Sequence, residues 1–371
     1  MNKIIKKKIF VVLLLFIILF IIEFSSFFII KILSHKGVFF EKKIITQSYD
    51  KYLKIRDPIL GWNHNNTDHY GARIDKSNYS KSKICADVYG DSFTYSLDVA
   101  DVDAWPSKLS EKLKCRVRNY GVSGYGTDQA YLKYLHQFNE HSKLVVLNHY
   151  SEGIIRNINQ FHNLIYPNAH FAFKPRFIII NSNLSLIKIP TLSKFEIKKF
   201  LETPKEFLKY EYFIPSGESG VQISSFPYTI SLIKTFNHYH LKAVLKKESR
   251  VKKFYETEHK SQALQITELI MKDFHRDALK RKLIPIITII PTCRDFEHRA
   301  IHGVFPYENL SKKLNSYNSL FIDFGLEIVL SNKNFRDLYI NCSAHMNEIG
   351  NEFLAEIFEK KLRSKIFSSD F

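Results

Sequence analysis

The sequence KICADVYGDS occupies residues 83–92 and ends in Gly90-Asp91-Ser92. Its first seven residues are mostly apolar and predict a short strand. A serine that directly follows such a strand lies at its carboxyl end, where the reactive groups of open α/β sheets gather. Because a serine hydroxyl is a weak nucleophile alone, Ser92 needs a base within hydrogen-bond reach.

His345 is the base that we expect. It lies in SAHMNEIGN, residues 343–351, at the start of the last predicted helix. Donors for a developing oxyanion are usually backbone N–H groups or an asparagine amide. The glycine-rich loop at 119–127 follows the second predicted strand, and Asn148 follows the third. Together with Ser92, these residues predict a site for acyl transfer.

Strand and helix signals alternate along much of the chain. The predicted strands cover 83–89, 115–119, 144–147, 283–290 and 319–322, and the predicted helices cover about 103–114, 128–138, 257–282, 307–318 and 347–366. This alternation indicates an α/β fold with a mainly parallel sheet. Six prolines and several lysine-rich turns interrupt the pattern, so we expect an insertion at about 155–256.

An almost continuous apolar stretch covers 9–30. As a helix it would be about 33 Å long, enough to cross a hydrocarbon core of about 30 Å. Lysines precede it, so we expect a cytoplasmic tail at 1–8, a transmembrane anchor at 9–30, a connector at 31–82, and a main domain at 83–371 in the periplasm or outside the cell. The alternative is a cleaved signal peptide, but no A-x-A-like site follows.

The net charge is +17 and 45% of the residues are hydrophobic. The apolar content is sufficient for a packed core and argues against a disordered chain. The charge fits either a general bias in composition or basic patches for an anionic polysaccharide or lipid surface. Export makes nucleic acid the weaker partner, and we expect none.

The chain contains four cysteines, and their spacing fits no zinc pattern. Cys85 opens the first predicted strand and Cys115 opens the second, so neighbouring strands would allow a disulfide between them. Free, buried thiols are the alternative. Neither a metal nor a cofactor is implied.

The motifs resemble those of the SGNH hydrolase superfamily, also called GDSL-type esterases. Gly90-Asp91-Ser92 resembles the first block of that family, and the block around His345 is similar to that of members from cell-surface polysaccharide clusters. The resemblance covers about 83–153 and 283–366 and implies a three-layer α/β/α sandwich. It also implies an oxyanion glycine, for which Gly124 fits the N-x-x-x-S-G pattern, with Gly126 or Gly121 as alternatives.

The chain departs from the family at the D-x-x-H aspartate, where Cys342 stands. A cysteine cannot orient the imidazole as a carboxylate does. Asp323 or Asp337 would then substitute in space, or the site would work as a Ser-His dyad. Cys293 follows a predicted strand and could form a disulfide with Cys342.

The third family block is the second departure. Its oxyanion asparagine aligns with Asn148 or with the position of Gly153. We therefore predict oxyanion donors from Ser92, Gly124 and Asn148.

The resemblance implies a membrane-anchored serine esterase or O-acyltransferase. Its expected substrate is an acyl ester, with acetyl as the favoured acyl group, on a cell-surface polysaccharide. The alternative is a catalytically reduced member that binds or scaffolds polysaccharide assembly.

Overall fold

A computed structural model describes most of the chain. The described residues are 3–35, 38–39, 49–64, 67–137, 142–166, 169–215, 217, 220, 222–236, 241, 249–317 and 320–365. Parts of the predicted tail, connector and insertion lie outside these ranges. The predicted domain limits stay predictions.

The chain is built from α-helices and short strands. The strands are β1 (Arg56–Asp57), β2 (Gly61–Trp62), β3 (Ile84–Tyr89), β4 (Arg116–Asn119), β5 (Leu144–Tyr150), β6 (Arg176–Ile180), β7 (Asn183–Ile187), β8 (Ile284–Ile290) and β9 (Leu320–Asp323). The helices are α1 (Lys3–His35), α2 (Tyr49–Ile55), α3 (Ser92–Tyr95), α4 (Trp105–Leu113), α5 (Thr127–Gln137), α6 (Gly153–Arg156), α7 (Lys194–Glu202), α8 (Pro204–Phe207), α9 (Tyr228–Thr235), α10 (Ala263–Lys280), α11 (Cys293–His302), α12 (Glu308–Asn315), α13 (Phe324–Leu330) and α14 (Glu348–Lys365).

The described chain divides into two compact units. We call one the sheet unit, formed by Lys51–His162, Ala172–Thr191 and Ser249–Phe371. The other is the anchor unit, formed by Met1–Asp50, Asn163–Phe171 and Leu192–Glu248.

The sheet unit contains a five-stranded sheet in the order β4-β3-β5-β8-β9, and every neighbouring pair is parallel. The predicted α/β class with a mainly parallel sheet is therefore confirmed. The central strands β5 and β8 are buried along almost their whole length, as expected when both faces of a parallel sheet are covered.

Helices cover the sheet in two groups. In one group, α14 contacts both α4 and α13, and all three contact the sheet; the other group contains α5, α10 and α12. Strand β4 follows β3 on one side, whereas β5 lies on the other side of β3. The order in which the chain adds strands to the sheet thus reverses between β3 and β5. Such a switch point opens a crevice at the carboxyl ends of the parallel strands.

Two disulfides link elements of the sheet unit. Cys85 of β3 is bonded to Cys115 just before β4, with Cα atoms 5.9 Å apart. Cys293 at the start of α11 is bonded to Cys342, with Cα atoms 4.8 Å apart. The pairing is the one considered from the sequence.

The anchor unit begins with α1, whose apolar side chains are mostly exposed. By length and composition α1 is able to cross a membrane, although a signal sequence near the amino terminus meets the same criteria. Helix α9 packs against α1 within this unit.

Candidate active site

Ser92 is the first residue of α3, and two residues separate it from the end of β3. The Asp91 carboxylate caps this helix by accepting the N–H of Phe93 at 3.0 Å. The first N–H groups of a helix have no partner within the helix. Accordingly, the N–H of Ser92 has no acceptor among the residues that the structure describes, and it is available to a ligand oxygen.

Gly90 makes the tight exit from β3 possible. A Cβ at this position would overlap the Thr94 hydroxyl and would lie 3.1 Å from the Cβ of Asn148. A larger residue would therefore push α3 away from the sheet, and Ser92 with it.

Ser92 and His345 meet as the sequence predicted. His345 Nε2 lies 2.8 Å from Ser92 Oγ, and His345 Nδ1 lies 2.7 Å from Asp98 Oδ2. A carboxylate only accepts hydrogen bonds, so Nδ1 must carry the ring proton in the neutral imidazole. Nε2 is then the acceptor, and the Ser92 hydroxyl donates to it. This is the geometry of a nucleophile, a base and an orienting acid.

Asp98 is a residue of the candidate site that sequence reasoning missed. It stands only six residues after Ser92, in the loop that follows α3. Ser96 adopts a left-handed conformation with φ of 60°, and the N–H of Leu97 bonds the carbonyl of Ser92 at 3.1 Å. This turn folds the chain back and brings Asp98 beside His345.

The prediction that Asp323 or Asp337 orients His345 is wrong. Asp323 caps α13 and accepts the Ser311 hydroxyl at 2.6 Å, and burial raises the pKa of its carboxyl group. Asp337 is exposed and accepts from the Asn334 amide. The alternative of a dyad without an acid is wrong as well, because Asp98 is in contact with the imidazole.

A buried arginine holds the loop that carries Asp98. The Arg73 guanidinium donates to the carbonyl oxygens of Tyr95, of Ser96 at 2.9 Å and of Val99 at 3.0 Å. It also pairs with Asp101 at 2.9 Å. Burial alone would raise the pKa of Asp101, but hydrogen bonds from Lys76 and Arg73 outweigh it and hold that pKa below its usual value. Arg73 thus fixes the backbone on both sides of Asp98.

His345 lies in a separate loop with its own supports. The loop closes through a bridge between Tyr339 and Met346, and the N–H of Ile340 bonds the carbonyl of His345 at 3.1 Å. The Cys293–Cys342 disulfide ties the same loop to α11. The ring of Phe93 packs beside the imidazole, with centroids 4.8 Å apart.

The three candidate oxyanion glycines differ in their N–H groups. Gly121 donates to the Asn119 side chain at 2.9 Å, and Gly126 donates to Gln129 at 3.2 Å. The N–H of Gly124 has no acceptor within the described part of the protein. Of the three, Gly124 therefore keeps a donor available, and its role in the oxyanion hole stays a prediction.

Asn148 lies beneath the loop that carries Ser92. Its amide nitrogen donates to the Thr94 hydroxyl at 2.6 Å, and its oxygen accepts the Thr288 hydroxyl at 2.7 Å. These bonds attach α3 to β5 and β8. One of its two amide protons is thus engaged with α3, and a contribution of the other to the oxyanion hole stays a prediction.

Arg156 is, like Arg73, a buried arginine near Ser92. The sequence analysis did not single it out. It donates to the Asp91 carboxylate at 3.2 Å and to the carbonyl of Tyr125 at 2.9 Å. Burial raises the pKa of Asp91, whereas the charge of Arg156 opposes that rise. Arg156 thereby links the cap of α3 to the glycine-rich loop.

One group of side chains has the composition of a metal site. Cys293, Glu297 and Cys342 place their ligand atoms within 4.8 Å of one another. The disulfide uses both cysteine sulfurs, so this group lacks the thiolates that a metal would need.

Comparisons with known proteins give the following results. No family model matches the sequence, and no curated protein matches it. Similar solved structures include a protein assigned to the G-D-S-L lipolytic family from Desulfitobacterium hafniense, with a TM-score of 0.38, 13% identity, and coverage of 75% of this chain and 98% of that one. A member of the same family from Veillonella parvula has a TM-score of 0.36 and 12% identity, with coverage of 76% of this chain and 98% of that one. An acetyl xylan esterase from Butyrivibrio proteoclasticus has a TM-score of 0.34 and 8% identity, with coverage of 80% of this chain and 66% of that one.

Proposed function

We propose that this protein is a membrane-anchored serine esterase or O-acyltransferase of the SGNH type. Its substrate would be an acyl ester, with acetyl on a cell-surface polysaccharide as the favoured case. The observation that carries the proposal is the hydrogen-bonded series Ser92–His345–Asp98 at the carboxyl end of β3. The same series argues against a protein that only binds or scaffolds polysaccharide, because such a role needs no aligned nucleophile, base and acid.

The first half of the reaction forms an acyl-enzyme. Ser92 Oγ attacks the ester carbonyl carbon while His345 Nε2 takes the hydroxyl proton. The N–H groups of Ser92 and Gly124, together with Asn148, would stabilise the negative charge on the carbonyl oxygen. The imidazolium then gives its proton to the departing alcohol oxygen, and the acyl group stays on Ser92.

The second half releases the acyl group. His345 removes a proton from an incoming hydroxyl, whose oxygen attacks the acyl-enzyme carbonyl, and Ser92 regains its proton from the imidazolium. Water as the acceptor makes the protein an esterase. A sugar hydroxyl as the acceptor makes it an acyltransferase.

The anchor belongs to the same proposal. Helix α1 would cross the membrane, and the lysines at its start would keep that end in the cytoplasm. The sheet unit would then lie in the periplasm or outside the cell, where cell-surface polysaccharides are found.

The test is hydrolysis of p-nitrophenyl acetate by the full chain in detergent. We expect turnover by the wild type and by Ser316→Ala, an exposed serine at the end of α12. Ser92→Ala and His345→Ala should each lose turnover by roughly 10⁴-fold or more while keeping the thermal transition of the wild type. Equal rates in all four proteins would contradict the proposal.

Acyl transfer needs a second assay. The wild type is supplied with the acetyl ester and an oligosaccharide, and the sugar is analysed by mass spectrometry. An added acetyl group that depends on Ser92 identifies a transferase. Release of acetate alone identifies an esterase.

A further inference from the structure

Helix α9 has its polar and apolar residues in the reverse of the usual arrangement. Ser231 and Thr235 are buried against the rest of the anchor unit, whereas Ile230, Ile233 and Phe236 are exposed, the last two to 65% each. A helix that faces water shows the opposite pattern. Small polar residues inside and large apolar residues outside are typical of helices that pack within a membrane.

The contact between α9 and α1 is polar at its centre. The Glu23 carboxylate of α1 accepts the backbone N–H groups of Tyr228 and of Thr229, the latter at 3.1 Å, and the Thr229 hydroxyl at 2.7 Å. The hydroxyls of Ser26 and Thr229 lie 3.1 Å apart. Glu23 thus caps the amino terminus of α9, which gives a physical reason for an acidic residue inside the mostly apolar stretch at 9–30.

The chain reaches this contact by turning back along α1. The N–H of Gln222 bonds the carbonyl of Val38 at 2.8 Å, just beyond the end of α1. Six residues after Gln222, Tyr228 lies level with Glu23. The turn between Gln222 and Tyr228 carries Phe226, which is 74% exposed. Helix α9 then returns towards the end of α1, where Leu232 and Tyr228 pack against the cluster of Ile30, Val38 and Phe39.

The depth of this turn follows from the helix rise. Glu23 lies seven residues before Ile30, the end of the apolar stretch, which corresponds to about 10 Å along the helix axis. One leaflet of the hydrocarbon core is about 15 Å thick. The turn would therefore enter one leaflet and would not cross it.

The backbone of the segment is partly satisfied from within. The Ser231 hydroxyl donates to the carbonyl of Ser225 at 2.8 Å and accepts its N–H at 3.1 Å. Thr235 donates to the carbonyl of Ser231. Internal pairing of this kind is what backbone at membrane depth requires.

We infer that residues 222–236 form a re-entrant segment that inserts into the leaflet around the carboxyl-terminal half of α1. Its exposed apolar side chains contact lipid acyl chains. This inference rests on the proposed membrane span of α1. Lipid is the occupant because Phe226 and Ile233 are exposed on a segment that packs against α1, and α1 itself exposes large apolar side chains such as Phe24 and Phe28. Lys234 is exposed beyond the turn, where its ammonium can extend towards the headgroups.

The test places single tryptophans in the full chain, reconstituted in phosphatidylcholine vesicles whose acyl chains carry bromine. Phe226→Trp and Ile233→Trp report on the segment, Phe16→Trp reports on the span of α1, and Leu330→Trp reports on an exposed site of the sheet unit. The signal of the native Trp62 and Trp105 is subtracted with the wild type. We expect bromine to quench the first three reporters and aqueous acrylamide to quench Leu330→Trp.

The outcomes separate the two proposals. Quenching of Phe16→Trp by bromine, with Phe226→Trp and Ile233→Trp open to acrylamide, would overturn the re-entrant segment and leave the anchor. Shielding of Phe226→Trp and Ile233→Trp from both quenchers would mean a protein partner and would also overturn it. Absence of bromine quenching at Phe16→Trp would overturn both.

A second pair of variants tests the cap. Glu23→Ala leaves the N–H groups of Tyr228 and Thr229 without an acceptor, whereas Glu23→Gln keeps one acceptor oxygen. In the Phe226→Trp background, we expect bromine quenching to fall in Glu23→Ala and to be largely kept in Glu23→Gln. Unchanged quenching in Glu23→Ala would show that Glu23 does not hold the segment.

Discussion

Two loops of the sheet unit supply the candidate active site, and they are held in different ways. The loop at 92–101 carries both Ser92 and Asp98 and is fixed by hydrogen bonds from the buried Arg73. The loop at 339–347 carries His345 and is fixed by a disulfide and a backbone bridge. The first loop is therefore positioned by a side chain distant in sequence, and the second by a covalent link.

The three side chains of the candidate site also differ in exposure. Ser92 is buried, whereas the side chains of His345 and Asp98 are 21% and 36% exposed. Solvent screens an exposed carboxylate, so Asp98 should stabilise the imidazolium less than a buried acid would. The comparison teaches that Ser92 is held by the core, whereas His345 and Asp98 lie nearer to solvent and depend on how well the loop around each of them is held.

Replacement of the acid should have the largest effect after loss of Ser92 or His345. An asparagine at position 98 can donate to Nδ1, which favours the tautomer with its proton on Nε2 and prevents proton transfer from Ser92. A buried acid contributes about 10⁴ to kcat, and for the exposed Asp98→Asn we expect a loss on the order of 10². The measurement is kcat for p-nitrophenyl acetate.

The matched control for Asp98→Asn is Asp323→Asn. It should lower the melting temperature, because Ser311 and the N–H of Leu326 lose a carboxylate partner, and it should leave kcat close to that of the wild type. The reverse result, with an active Asp98→Asn and an inactive but folded Asp323→Asn, would assign the acid to Asp323.

Arg73→Lys tests the hydrogen-bonded loop. Lysine keeps the charge but cannot make the fork of bonds that reaches three carbonyl oxygens and Asp101. We expect kcat to fall about tenfold with little change in KM, because Asp98 moves from its position beside His345. In the Asp98→Asn background the same change should have little further effect on kcat, since both act through one group. Full additivity would contradict a positioning role.

Removal of the disulfide tests the covalently held loop. The double variant Cys293→Ser with Cys342→Ser should lower the free energy of unfolding by about 2–4 kcal/mol. Its kcat should fall less than that of Arg73→Lys, because the Tyr339–Met346 bridge still closes the loop. The double variant Cys85→Ser with Cys115→Ser is the control, with a similar loss of stability and an unchanged kcat. A loss of activity equal to that of His345→Ala would show that the bridge alone cannot hold the base.

The smallest expected effect is on the pH dependence of stability, and it arises in α11, the helix that the Cys293–Cys342 disulfide joins to the loop of His345. Asp295 lies in the first turn of α11, where its carboxylate accepts the N–H of the capping residue Thr292. Burial raises the pKa of Asp295 to about 6, despite hydrogen bonds from Ser151 and Thr292. The folded pKa is above that of the unfolded chain, so the stability from this group is fully present below about pH 4 and is lost as the pH rises through about 6. Asp295→Asn should flatten the pH dependence of the free energy of unfolding between these values. Urea unfolding at a series of pH values measures it, and an unchanged slope would contradict this assignment.

The fold was predictable because local patterns and tertiary packing agree. The apolar runs at 144–147 and 283–290 are central strands of the sheet, and the helices predicted at 103–114 and 128–138 form within a residue or two of those limits. The contact between Ser92 and His345 was predictable for a related reason. Ser92 is part of the Gly90-Asp91-Ser92 motif after β3, and His345 is part of the motif at 343–351 that precedes and opens α14.

Asp98 was not predictable from the same patterns. An aspartate in a polar loop is common, and its approach to His345 depends on the left-handed Ser96 and on Arg73, which is more than twenty residues away. The D-x-x-H pattern directed attention to the residues around Cys342 instead. The inverted polarity of α9 was similarly hidden, because a short sequence does not show which of its faces is buried.

The six-residue separation of Ser92 and Asp98 has a consequence for inheritance. In the D-x-x-H arrangement the acid and the base lie on one short stretch of gene, and the nucleophile lies on another. Here Ser92 and Asp98 are encoded together, and His345 is encoded about 250 residues later. A recombination event that exchanged the last helix would therefore leave Ser92 and Asp98 together in the chain.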